Sequence, residues 1–122
     1  MRAIVLAALL MIGACSSIPA QVPVARVDGV LLERASGRTL YTNDRDDAPF
    51  AKLFCADECL RGWVPLAAAR GVKGAKDFML IERQNGALQW AYRDRPLYLR
   101  DGEAPGERGG HGVGNMWRIA RP

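Results

Sequence analysis

The residues best equipped for chemistry are few: one histidine, His111, three cysteines at positions 15, 55 and 59, and three serines. A hydrolase is poorly supplied by this set. There is no Gly-x-Ser-x-Gly elbow, and a single His makes no paired motif. Cys55-Ala56-Asp57-Glu58-Cys59 has two chemistries open to it. In an oxidising compartment the pair closes a disulfide around a very small loop, worth about 2 kcal/mol of chain entropy, which pins a turn rather than a domain. Kept reduced, its soft thiolates and His111 could hold Cu(I) or run thiol redox chemistry, although the alternating strands and helices of thioredoxin-like copper chaperones are missing. Two further spacings stand out. Asp46 follows Tyr41 by five residues, and Glu103 follows Tyr98 by five. A carboxylate just past a strand accepts backbone N–H groups of the next turn; a catalytic carboxylate pair is the sharper alternative. Tyr41, Trp63, Tyr98 and Trp117 read as aromatic anchors of a small core, with a ligand-stacking surface as the alternative. Asp44, Asp46 and Asp47 suggest calcium, but Pro49 and Cys55 stand where the EF-hand loop needs Gly and Glu. Gly109-Gly110-His111-Gly112 could approach a phosphate, yet it does not follow a strand and open a helix. His111 reads most simply as an exposed loop residue.

These residues sit in a chain of 122, one domain's worth, with 25% charged and 49% hydrophobic residues and a net charge of +4. That composition is globular. No run of like charge is present, so a nucleic-acid partner is not expected. Met1-Arg2 precedes ten unbroken apolar residues, Ala3 to Ile12. The run is too short to cross a bilayer and suits the apolar part of a secretory signal. It ends in Ile12-Gly13-Ala14-Cys15, which resembles a bacterial lipobox. That resemblance implies acylation of the Cys15 thiol and cleavage before it; the plainer alternative is a secreted protein cut near Ala20. Ser16 and Ser17 follow the anchor, and the absence of Asp there implies the outer membrane, facing the periplasm. The expected organisation is a signal peptide over 1–14, a tether over 15–24 carrying Pro19 and Pro23, and a folded domain over 25–122.

The domain reads as all-β and mainly antiparallel. Val27 to Arg34 and Arg38 to Asn43 flank Ala35-Ser36-Gly37 as one hairpin; Phe78 to Arg83 and Ala87 to Tyr92 flank Gln84-Asn85-Gly86 as another. Leu97 to Arg100 and a closing strand from Asn115 to Ala120 follow, with Trp117 and Ile119 on one face. Asp101 to Gly114, with six Gly, is a loop. Ala67 to Lys76 connects the halves, and a short helix is possible near Ala48 to Cys59. Leu31 to Gly37 aligns with Leu80 to Gly86 at an offset of 49, and Leu40-Tyr41 with Leu97-Tyr98 at an offset of 57. The difference implies an extra strand and turn, Trp90 to Arg95, in the second half. Trp63 and Trp117 then close two related units that share a core.

With Gly37 to Tyr41, Asp46, Cys55, Cys59, Trp63-Val64-Pro65-Leu66, Arg83-Gln84-Asn85-Gly86, Gln89 to Tyr92, Arg95 to Tyr98, Pro105-Gly106, Gly112-Val113-Gly114 and Trp117 assembled, the chain resembles the bacterial secreted-repeat lipoproteins, described by a Tyr-x-(Phe/Trp/Tyr)-x-x-Asp motif. The resemblance runs from about Asp28 to Ala120. It departs from the pattern at Asn43 and Arg100, which replace the motif aromatics, at Glu103, which replaces an acidic Asp, and at Trp63-Val64-Pro65 in place of Trp-Pro-Pro. The resemblance implies a compartment and a domain but no reaction. The expectation is a membrane-anchored envelope lipoprotein acting as a binding or structural module without a cofactor, its envelope partner unidentified. The alternative is a copper or redox accessory protein using Cys55, Cys59 and His111.

Overall fold

A computed structural model describes residues 17–46 and 55–122. The signal peptide, Cys15, Asp47 and most of the predicted helix lie outside those residues.

The described chain is all-β and antiparallel, as the sequence predicts. Ten strands run in order: β1 Val24–Val27, β2 Val30–Glu33, β3 Leu40–Asn43, β4 Trp63–Pro65, β5 Ala67–Ala68, β6 Phe78–Glu82, β7 Leu88–Tyr92, β8 Arg95–Pro96, β9 Tyr98–Arg100 and β10 Trp117–Ile119. They form a β1-β2 ribbon, a sheet ordered β10-β3-β9-β4, and a sheet ordered β5-β7-β6 with β8 also on β7. Within the described part of Ala48 to Cys59, the only helical turn is a 3-10 turn, Asp57–Leu60.

One predicted strand is in fact two. Val27 to Arg34 breaks at Asp28-Gly29, both at positive φ (50° and 72°), so the chain reverses there and Val27 pairs with Val30. Asp-Gly is a strong signal for this turn, because both residues tolerate the left-handed region. The second hairpin stands as predicted, with Phe78 opposite Tyr92 and Glu82 opposite Leu88. The extra strand of the second half is also present, as the reversal at Arg93-Asp94 that leads into β8. The two hairpin turns share one device: the Arg38 N–H donates to Ser36 Oγ, and the Ala87 N–H donates to Asn85 Oδ1. Their backbone closures differ by a residue. Gly37 N–H bonds Glu33 O, four back, whereas Gly86 N–H bonds Arg83 O, three back.

The β10-β3-β9-β4 sheet separates two cores. Along β3 and its neighbours, side chains alternate between them. Leu31, Leu40, Leu97 and Leu99 enter a larger core with Val22, Val24 and Trp90; Val30, Tyr41 and Tyr98 enter a smaller one with Trp63, Trp117, Ile119 and Cys55. Of the segment expected to be a tether, residues 17–24 are described, and its end is docked. Val22 and Val24 have no exposure, and Ile18 packs on the larger core. Two β-branched residues buried at its end outweigh the Pro-based reading of an extended linker.

Candidate functional site

The smaller core gathers the four aromatics and both carboxylates singled out by the sequence. Its centre is the β3–β9 pair, where Tyr41 lies opposite Tyr98. The outer strands repeat the arrangement on either side. Trp117 of β10 lies opposite Asn43 and Ile119 opposite Tyr41; Trp63 of β4 lies opposite Arg100 and Pro65 opposite Tyr98. The pairing pattern therefore repeats on either side of the Tyr41–Tyr98 pair, and each half lays its closing strand against the other half's central strand.

The hydrogen bonds cross in the same way. Tyr41 OH donates to Glu103 Oε1 at 2.5 Å, and Tyr98 OH donates to Asp46 Oδ2 at 2.7 Å. Each tyrosine thus uses the acid that follows the other tyrosine by five residues. The sequence reading placed these acids in local turns. Asp46 does accept one backbone N–H, from Cys55 at 3.1 Å, but the phenols lie across the molecule because β3 and β9 run antiparallel and bring each strand's end beside the other's start. Both tyrosines have no exposure. Burial pushes the Tyr41 phenol well above its ordinary range, and the bond to Glu103 adds to it. The Tyr98 phenol is raised by burial, then by the charge of Asp46 and the bond to it. Both phenols are therefore protonated donors at neutral pH. Neither is poised to take a proton.

The rings complete the cluster. Trp63 and Trp117 stack at 3.8 Å and 8°, with Tyr41 edge-on to Trp63 at 5.1 Å and Tyr98 edge-on to Trp117 at 5.0 Å. Trp63 keeps 7% of its surface and Trp117 keeps 3%, so they form an interior rather than a stacking platform. Offset and edge-on contacts of this kind add to area burial. Arg100, at the position where the resemblance expects an aromatic, sets its guanidinium 6.0 Å from the centre of the Trp63 ring. Asn43, the equivalent departure, is buried beside Cys59.

Gly110 was not singled out by itself, and it sits against this cluster. Its N–H donates to Tyr41 OH at 3.2 Å. A Cβ there would lie 2.7 Å from Tyr41 and 2.8 Å from Trp63. The glycine-rich loop thus brings backbone against aromatic rings, a demand its composition does not distinguish from phosphate binding. Arg83 enters the sequence reading within the Arg83 to Gly86 match, with no role assigned to it. It donates to Gln89 Oε1 and to Cys55 O, both at 2.7 Å, and ties the disulfide loop to β7.

Cys55 and Cys59 are joined as a disulfide, their Cα atoms 5.0 Å apart, inside the range that bridging allows. His111 is exposed, and its Nδ1 accepts the Ile119 N–H at 3.0 Å. Among the described residues no group of three His, Cys, Asp or Glu side chains is placed to hold a metal. Asp44 pairs with Arg118 at 3.0 Å.

Residues 79–121, from β6 through β10, match a family model described as a secreted repeat of unknown function. The matched stretch holds Tyr98, Glu103, Gly110 and Trp117; Tyr41, Asp46 and Trp63 come from the half before it. No curated protein and no solved structure matches the chain. Among the described residues no helix is long and apolar enough to cross a membrane.

Proposed function

We propose that the chain is a lipid-anchored module of the cell envelope, held through Cys15 at the periplasmic face of the outer membrane, where it serves as a binding or structural element rather than a catalyst. One observation carries the reading. Tyr41, Tyr98 and Glu103 are buried, Asp46 is half-buried, and each phenol is paired with a carboxylate, so these four residues hold two halves together and are not aimed at a substrate. The secreted-repeat match over 79–121 supports the compartment, and the lipobox-like Ile12 to Cys15 supports the anchor.

The test is a Cys15→Ala chain expressed beside the wild type. The wild type is expected in the outer-membrane fraction with acyl mass on its N-terminal cysteine. The variant is expected as an uncleaved inner-membrane precursor or a soluble form. Unchanged mass and fractionation would remove the anchor. For the copper reading, purified protein is expected to show no free thiol at Cys55 or Cys59. Both thiols free with one equivalent of copper bound would replace the module reading by it.

A further inference from the structure

We propose that the face of the domain around Ser17 lies directly on the anionic headgroup layer of the membrane that holds the anchor; this rests on lipidation at Cys15. Two independent observations meet there. The first is the docked segment. The Val22 N–H bonds Pro19 O at 3.0 Å, Lys76 Nζ approaches Ser17 O at 3.5 Å, Ile18 packs on the larger core, and Val22 is fully buried. Only two residue steps separate Cys15 from Ser17, at most about 7 Å of extended chain. A body held that closely has no free tether on which to turn away from its membrane.

The second observation is charge. Ser17 and Ile18 border two shallow hollows of about 200 Å³ and 280 Å³. Arg26, Lys76 and Arg93 line the first, and Arg26 and Arg34 line the second. All four cations are exposed. The single carboxylate among the lining residues is Asp77, 3.5 Å from Arg93. The reach from the anchor to Ser17 is shorter than the Debye length of about 8–10 Å, Lys76 Nζ lies 3.5 Å from Ser17 O, and the other cations line the hollows that Ser17 borders, on the side the anchor turns to the headgroups. Each basic side chain so placed is worth about a fivefold gain in partitioning to an anionic surface. Two or more acyl chains anchor stably without such help. The patch therefore sets orientation: it presses the Ser17 face to the membrane and turns other faces to the periplasm.

The experiment uses full-length Cys15→Ala protein, so that acyl chains do not dominate. It is mixed with vesicles of phosphatidylcholine, and with vesicles of phosphatidylglycerol and phosphatidylcholine in equal parts. A chain also carrying Arg26→Glu and Lys76→Glu is run beside it; both keep the same leader, so their difference isolates the patch. The preference for anionic vesicles is expected to be at least about tenfold larger without the two reversals, and to shrink as salt is added. Arg26→Gln with Lys76→Gln, a milder change at the same exposed positions, is expected to fall between. Equal preference in chains with the same thermal unfolding would overturn the proposal. A wild-type chain lacking acyl mass would remove the anchor reading alone, while the vesicle comparison still decides the patch.

Discussion

Tyr41 and Tyr98 each donate to a carboxylate from the opposite half, so deleting either hydroxyl removes a bond and leaves its acceptor short of a donor. Tyr41→Phe leaves Glu103, which is 8% exposed, with the Arg100 guanidinium 3.9 Å away but without its hydroxyl donor. The expected cost is about 1–3 kcal/mol, the penalty of a buried group losing its partner, read from urea unfolding. Glu103→Gln keeps the shape and an acceptor oxygen and should cost less. If Tyr41→Phe proves neutral, the crossed bond does not hold the halves. The raised phenols also set a pH dependence. The unfolded chain releases these protons near the ordinary tyrosine pKa of about 10, while the folded chain retains them. The folded state then binds more protons, so stability is whole below about pH 10 and falls as pH rises through the folded values, with a slope approaching about 1.4 kcal/mol per pH unit per tyrosine. A chain with Tyr41→Phe and Tyr98→Phe should show a shallower decline than the wild type above about pH 10; identical slopes would show that these phenols do not titrate differently on folding.

Among the elements, the disulfide and the aromatic strands do different work. Cys55–Cys59 closes a loop with a sequence separation of 4. Its removal by Cys59→Ser should cost only about 2 kcal/mol and leave a cooperative transition. Trp117→Ala, which empties a ring-sized space between Trp63 and Tyr98, should cost about 3–5 kcal/mol. A reversed order in thermal unfolding would make the loop, not the ring stack, the dominant constraint. The sequence made much of this legible. Period-two burial marked β10, Asn85-Gly86 marked the second hairpin, and the spacing of the two Leu-Tyr pairs marked the repeat. Three features were hidden for a physical reason. The Asp28-Gly29 reversal lay inside an apolar run, so periodicity read through it. The docking of Val22 and Val24 depends on a core built largely from later residues. The crossing of Tyr41 to Glu103 is a long-range antiparallel register, and spacing along a chain records which residues recur, not which copies exchange partners.

At the scale of the whole molecule, the crossing makes the halves interdependent, although the match to a secreted repeat covers only the second. Among the described residues strand β9 has two neighbours, β3 and β4, both from the first half, and β10 pairs with β3. Isolated from the first half, residues 79–121 would keep the β6-β7 hairpin except Phe78, and β8, but β9 and β10 would lose the strands they pair with. Trp117 would lose the face of Trp63, and Glu103 would lose the Tyr41 hydroxyl. A single hairpin is marginal in water, and buried rings of this size supply much of a small core's stability. A peptide of residues 79–121 is therefore expected to show no cooperative urea transition and a solvent-exposed tryptophan fluorescence spectrum, from Trp90 and Trp117 together, as a monomer. Because the pairing pattern repeats about Tyr41 and Tyr98, a second copy of the peptide is a partner suited to stand in for the missing half. Any structure gained should then rise with peptide concentration and appear together with a dimer in sedimentation. Concentration-independent, cooperative folding of the monomer would show that the repeat is self-sufficient, and that the crossed tyrosines and strands fasten two finished units rather than complete two unfinished ones.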